Sequence, residues 1–101
     1  MYRQGDLLFV RPPSGIPAGT TVVPDGVIKE GESTGHAHRV DTAVAEVSRL
    51  PSGLTYILAP EGGVDVTHEE HDTITLPSGE WIVIEQREYS PRGWGWTAVA
   101  D

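Results

Sequence analysis

Short segments of alternating apolar and polar residues run along most of the chain, separated by turn-forming residues. Side chains of a β-strand point alternately to its two faces, so this period of two predicts strands with one buried face. Twelve glycines and eight prolines interrupt the pattern too often for helices of ordinary length. The sequence therefore predicts an all-β fold: a small single-domain β-barrel or sandwich of about nine short antiparallel strands. The predicted strands include residues 6–10, 20–23, 27–30, 43–47, 54–59, 64–68, 73–76 and 80–88.

One hairpin has a register that the alternation predicts. Val66 before its turn and Ile74 after it each continue an alternating apolar set. A three-residue loop over Glu69 to His71 pairs these two positions and keeps both apolar sets on one face. A two-residue loop at Glu69-Glu70 would need positive φ at both glutamates, so we expect the longer loop.

Elsewhere, residues 41–50 contain neither glycine nor proline, and a short helix competes there with the predicted strand.

The longest predicted strand, residues 80–88, carries apolar residues on both faces, which is typical of a central strand. Trp94 and Trp96 follow it and would share one face of an extended segment. We expect that the strand from Trp81 to Ile84, or Trp94 with Trp96, provides a contact surface for a homo-oligomer.

Composition limits the classes of function. A chain of 101 residues is expected to form one domain, residues 1–101. It has 15 acidic and 7 basic residues and a formal net charge of -8, so it repels phosphate backbones and anionic membranes. We therefore do not expect nucleic acid as a partner.

Cysteine is absent, which excludes disulfides, thiolate nucleophiles and cysteine zinc sites. The chain has no apolar run near the ~20 residues that span a bilayer, and its first apolar run, Leu7 to Val10, is too short for a secretion signal. We expect a soluble, cytoplasmic protein.

All four histidines lie in two stretches, Gly35-His36-Ala37-His38 and His68-Glu69-Glu70-His71. Histidines two apart on a strand project to one side, and histidines three apart across a tight turn can reach one point. Imidazole nitrogen is a common ligand of zinc, iron, nickel and copper. We predict a divalent transition metal bound by His36, His38, His68 and His71.

Further polar residues could add an oxygen ligand, orient a ring or line the pocket. They are Glu32, Glu46, Glu70, Gln86 and Arg39. Gln86 is included because it is in phase with Ile82 and Ile84 on the long strand.

The number of ligands separates the possible functions. Three histidines and a water would allow Lewis-acid or water-activating chemistry in a hydrolase, isomerase or oxygenase. Four histidines would close the site, as in structural centres. Two alternatives remain at this point: a non-enzymatic oligomeric interaction module, and metal-free phosphodiester chemistry in which histidines act as acid and base and Arg39 or Arg87 holds the phosphate. Whether the protein is an enzyme stays open.

The chain resembles a group of small bacterial and phage proteins of unassigned function, and the resemblance extends over nearly its whole length. The stretches that carry it are Gln4-Gly5-Asp6, Thr34-Gly35-His36-Ala37-His38, His68-Glu69-Glu70-His71, Leu76-Pro77-Ser78-Gly79 and Gln86-Arg87-Glu88-Tyr89. This resemblance implies no activity.

About half of the chain is similar to cupins, small β-barrels that bind a metal through His-x-His, a glutamate and a later histidine. Gly31, His36, His38 and Glu46 follow the first cupin motif, with the glutamate farther downstream. Pro77 and Gly79 follow the second motif, but Ile82 stands where a cupin has its histidine. The similarity implies a histidine-lined barrel by analogy.

Overall fold

The computed structural model describes residues 1–31 and 35–86. Within these ranges the chain forms ten strands: β1 Tyr2–Gln4, β2 Leu7–Val10, β3 Thr21–Val22, β4 Val27–Glu30, β5 Ala37–Arg39, β6 Glu46–Arg49, β7 Thr55–Ala59, β8 Val64–His68, β9 His71–Leu76 and β10 Gly79–Glu85. The predicted all-β class is confirmed. The described elements include no helix, so none is present that could cross a membrane.

Two antiparallel sheets make up the fold. One has six strands in the order β1-β2-β10-β7-β6-β3, and the other has four in the order β4-β5-β8-β9. Their strands do not close into a single barrel. The sequence left a barrel and a sandwich open. The structure has two separate sheets and no single closed barrel.

The hydrophobic core is a cluster to which both sheets contribute. Its largest fully buried side chains are Phe9, Leu7, Ile57, Leu76, Val47 and Val66. On β7 the consecutive residues Thr55, Tyr56 and Ile57 are all buried, but on the other strands buried apolar residues alternate with polar or less buried ones. Burial of one strand face therefore accounts for most of the pattern seen in the sequence.

The chain begins with a hairpin, of which the sequence predicted only the second strand, at residues 6–10. β1 pairs with β2, with Gln4 opposite Leu7, which leaves Gly5 and Asp6 as a two-residue turn. Gly5 has φ of 59°, and a glycine with positive φ at the first of two central positions is typical of a type II′ turn. Asp6, predicted to begin the strand, lies in this turn instead.

The strand predicted at residues 43–47 begins later than expected, at Glu46. Asp41 holds the preceding residues in a turn: its carboxylate accepts a hydrogen bond from the Ala43 amide, and its carbonyl accepts from Val44 and Ala45. An aspartate that bonds to the backbone two residues on stabilises turns in preference to strands. The part of this window before Glu46 therefore forms a turn, and neither the predicted start of the strand nor the competing helix.

The predicted register of the β8–β9 hairpin is confirmed, because Val66 pairs with Ile74 and Val64 with Leu76. The loop is different: His68 pairs with His71, so the turn contains only Glu69 and Glu70. Neither glutamate has positive φ. Between these pairs β8 has one residue and β9 has two, so a β-bulge at Asp72 and Thr73 takes up the extra residue.

β10 is central, as predicted, since it lies between β2 and β7. Trp81 is buried in the core and donates a hydrogen bond from Nε1 to the Pro77 carbonyl at 2.9 Å. Ile82 and Ile84 lie on the opposite face, where Ile84 is 42% exposed. Trp81 therefore cannot contribute to an exposed contact surface. Trp94 and Trp96, the other predicted contact residues, lie outside the described residues. Homo-oligomer formation stays a prediction.

The packing predicts different costs for two leucines that both lie on strands. Leu76→Ala removes a fully buried side chain and should lower the free energy of unfolding by about 2–5 kcal/mol. Leu58→Ala removes one that is 44% exposed and should cost less than about 1 kcal/mol. Urea denaturation followed by circular dichroism measures both, and equal losses would contradict the placement of the core.

Candidate metal centre

The fold brings the two histidine stretches together on the four-stranded sheet. His38 lies on β5, while His68 and His71 flank the turn between β8 and β9. One nitrogen from each of these three rings lies within 4.8 Å of the others. We call His38, His68 and His71 the histidine triad.

The three rings form a compact group that is open to solvent on one side. Ring centroids are 4.4 Å apart for His38 and His68, 4.6 Å for His68 and His71, and 5.7 Å for His38 and His71. His38 is buried, His68 is half-buried and His71 is exposed. A ligand could therefore reach the triad from the His71 side.

Glu69 holds the β8–β9 turn against β5. One carboxylate oxygen accepts a hydrogen bond from the Ala37 amide at 2.9 Å, and the other accepts from Arg39 Nη1 at 2.7 Å. Ala37 and Arg39 flank His38 in the sequence, and Glu69 is next to His68. The carboxylate thus fixes the distance between the two histidine stretches.

The ring of His38 is oriented by a buried glutamine. Gln4 Oε1 lies 2.8 Å from His38 Nδ1. Since an amide oxygen can only accept, Nδ1 of His38 carries the proton and Nε2 carries the free lone pair. His38 is thus held in the tautomer that offers Nε2 to a metal.

His68 is held differently. The backbone amide of Glu70 donates a hydrogen bond to His68 Nδ1 at 3.0 Å. A neutral imidazole has one lone pair, so the proton of His68 is on Nε2 in this arrangement. His68 must give up the bond to Glu70 before either nitrogen can bind a metal as a neutral ligand.

His36, the fourth predicted ligand, lies beside the triad and is not part of it. Its ring centroid is 6.0 Å from that of His68, and its Nδ1 is 3.6 Å from a carboxylate oxygen of Glu70. This Nδ1 is buried and has no hydrogen-bond partner among the described residues. Glu70 therefore contacts histidines of both stretches: its carboxylate lies near His36, and its backbone amide bonds to His68.

The remaining predicted site residues are dispersed. Arg39 is at the edge of the site and is paired with Glu69. Glu46 is exposed on the six-stranded sheet, opposite Leu58, and Gln86 accepts a hydrogen bond from the Arg3 guanidinium. Neither belongs to the histidine group. Glu32 lies outside the described residues.

The positions of these groups favour neutral histidines and an ionised glutamate. Burial, with the neighbouring His68 and His71, lowers the pKa of His38 to about 4. Burial, followed by the proximity of His71, also lowers the pKa of His68. Hydrogen bonds from the Ala37 amide, then the Glu69 amide and Arg39, lower the pKa of Glu69 to about 2. At neutral pH His38 and His68 therefore keep lone pairs beside a carboxylate.

The fold and the triad define an all-β protein with a candidate metal centre. The chain belongs to the family described as Domain of unknown function (DUF8820), whose model matches residues 3–86. The matched range contains the whole triad. No curated protein and no solved structure matches the chain significantly.

The sequence reading missed Gln4 and Gly5 as site residues. Gln4 contacts His38, and Gly5 lies so close to His71 that an added Cβ would be 2.6 Å from its Nε2. The available signal was the glycine at position 5, since a glycine two residues before an apolar run can mark a hairpin turn. Recognising that hairpin would have placed Gln4 on a strand of its own.

The lowered pKa values predict two pH ranges in which metal-free protein loses stability. The unfolded chain binds a proton at His38 below about pH 6.5, and the folded chain does so only below about pH 4, so the free energy of unfolding falls as pH drops through this range. For Glu69 the corresponding range is about pH 4.5 to 2. His38→Leu should weaken the first dependence, leaving the part due to His68, whose pKa is also lowered by burial, and Glu69→Gln should remove the second, as measured by urea denaturation from pH 2 to 8 with chelator. Variant and wild-type curves that stay parallel in both ranges would contradict these assignments.

Proposed function

We propose that this protein binds one divalent transition metal ion through His38, His68 and His71. The observation that carries the proposal is the convergence of three imidazole nitrogens from two separate sequence stretches to within 4.8 Å of one another. Imidazole donors suit zinc, iron, nickel and copper. The identity of the ion is left to measurement.

The spacing of the triad fits a metal after modest movement. Metal–nitrogen bonds of about 2.0–2.1 Å in a tetrahedral site place the nitrogens about 3.3 Å apart. The separations of up to 4.8 Å would shorten as the exposed His71 and the half-buried His68 rotate. The buried His38 supports the proposal because its Nε2 already carries the free lone pair.

The charges around the triad also support the binding of a cation there. Two of the three rings have a lowered pKa because burial and neighbouring imidazoles oppose protonation. A metal ion binds the unprotonated form of each ring, so it does not compete with protons at neutral pH. The ionised Glu69 and the nearby Glu70 add negative charge at the same place.

The open side of the triad favours a catalytic centre over a structural one. Structural zinc sites have four protein ligands, whereas catalytic sites have three and a water. Three neutral histidine ligands do not themselves neutralise the charge of the ion, and a zinc ion held in this way lowers the pKa of its water to about 7. We infer a metal-dependent enzyme that activates water, with a hydrolase the simplest form; a redox-active metal would allow an oxygenase.

Metal-free phosphodiester chemistry is less well supported. It needs one protonated histidine and a cation free to hold the phosphate. Lowered pKa values at His38 and His68 oppose protonation, and Arg39 is engaged with Glu69. Arg87, the other predicted phosphate ligand, lies outside the described residues.

The proposal predicts that untagged protein contains close to one equivalent of metal. His38→Ala, His68→Ala and His71→Ala should each lower the metal content at least tenfold, because each removes one of three ligands. His36→Ala is the matched control: it removes a histidine from the same stretch as His38 and should keep the metal. Inductively coupled plasma mass spectrometry measures the content and identifies the element.

Two outcomes would overturn the proposal. One is wild-type protein that is metal-free and takes up none of zinc, iron, nickel or copper on titration. The other is metal that is retained in all three triad variants, provided that circular dichroism shows each variant to be folded.

A further inference from the structure

Gln4 makes more polar contacts than its position near the chain start suggests. Its side chain is 3% exposed. The amide nitrogen donates hydrogen bonds to the carbonyls of Val66, at 2.8 Å, and Asp72, at 2.9 Å, while Oε1 faces His38. One side chain of the six-stranded sheet is therefore hydrogen-bonded to β8, to the bulge of β9 and to the ring of His38.

These three bonds determine which way the amide points. Rotating the amide by 180° would place its oxygen against two carbonyl oxygens, neither of which can donate. The nitrogen must therefore face Val66 and Asp72, and the oxygen must face His38. The backbone of one hairpin thus fixes the proton on Nδ1 of His38 through Gln4.

Gly5, the next residue, acts on another member of the triad. It occupies the turn with φ of 59°, and an added Cβ would approach His71 Nε2 to 2.6 Å and the adjacent ring carbons to 3.1 Å. A side chain at this position would push the His71 ring away. The absence of a side chain at Gly5 lets the ring lie against the turn.

We propose that Gln4 and Gly5 form the positioning element of the metal centre, with Gln4 selecting Nε2 of His38 as the ligand atom and Gly5 admitting the ring of His71. This inference rests on the metal site proposed above. It makes the first hairpin, which contributes no ligand, a determinant of metal affinity. Hydrogen-bond partners behind metal-binding histidines commonly have this role.

Two substitutions of Gln4 separate positioning from folding. Gln4→Met removes the acceptor for His38 and both donors, whereas Gln4→Glu keeps an acceptor and loses the donors to Val66 and Asp72. Both variants should therefore be less stable to urea than wild type. Zinc affinity, measured by competition with a chromophoric chelator, should fall about 10–100-fold in Gln4→Met and should stay within about threefold of wild type, or rise, in Gln4→Glu, because a carboxylate behind histidine strengthens the ligand.

Gly5→Ala has a matched control in Gly19→Ala. Gly19 also has positive φ, 92°, but has no atom within 4 Å of an added Cβ. Both substitutions strain the backbone, and only Gly5→Ala meets the His71 ring. Zinc affinity should fall at least tenfold in Gly5→Ala and should be unchanged in Gly19→Ala.

The outcomes distinguish this inference from the proposed function. Wild-type protein that does not bind zinc, iron, nickel or copper would overturn both. Wild-type protein that binds zinc while Gln4→Met and Gly5→Ala bind it equally well would overturn the positioning role alone. Equal loss of affinity in Gln4→Met and Gln4→Glu would do the same, because affinity would then follow stability instead of the acceptor at His38.

Discussion

The candidate centre depends on the carboxylate of Glu69. This group accepts the Ala37 amide and the Arg39 guanidinium, two groups that flank His38 on β5. Regular pairing between β5 and β8 is limited to Arg39 opposite Thr67, so backbone hydrogen bonds alone hold these strands together weakly. The carboxylate extends the contact to the tip of the hairpin, where His68 and His71 are located.

Bringing three imidazoles together has an electrostatic consequence. Burial, and then the neighbouring His68 and His71, lowers the pKa of His38, while burial and then His71 lowers the pKa of His68. The folded protein thus keeps unprotonated nitrogens of His38 and His68 close together and beside acidic groups. A divalent cation would suit this arrangement better than protons do, because one ion would contact all three ring nitrogens at once.

The rings are not equally ready to bind a metal. Gln4 holds His38 with Nε2 free, whereas the lone pair of His68 is occupied by the Glu70 amide, and His71 is exposed. Metal binding would thus keep the His38 contact and rearrange the turn. The hairpin tip is the natural place for movement, since its two glutamates are exposed while the strands below it are anchored in the core.

The sequence predicted the parts of this structure that depend on alternation. Val66 opposite Ile74 was expected, because a shift by one residue would expose one apolar set. The two-residue turn was not predicted. The bulge at Asp72 and Thr73 takes up the extra residue, so the alternation of apolar residues beyond the bulge, away from the turn, is the same for either turn length. A β-bulge adds one residue without changing which apolar residues face the core.

The histidine pairs show a second limit of prediction from the sequence. Spacing showed that His68 and His71 could reach one point, and the structure places both rings with His38. His36 lies outside the triad and just before β5, which begins at Ala37, and local spacing does not indicate where a strand begins. Gln4 was missed because its partners His38, Val66 and Asp72 are 34 or more positions away in the sequence.

The most direct test of the account is a zinc titration followed by the ring nitrogen resonances of the four histidines. The account predicts that signals of His38, His68 and His71 change together and saturate at one equivalent, that His38 keeps its proton on Nδ1 throughout, and that the ring of His36 is not ligated. Ring nitrogens of the triad that do not respond to zinc, or a site formed by His36 without His71, would contradict it.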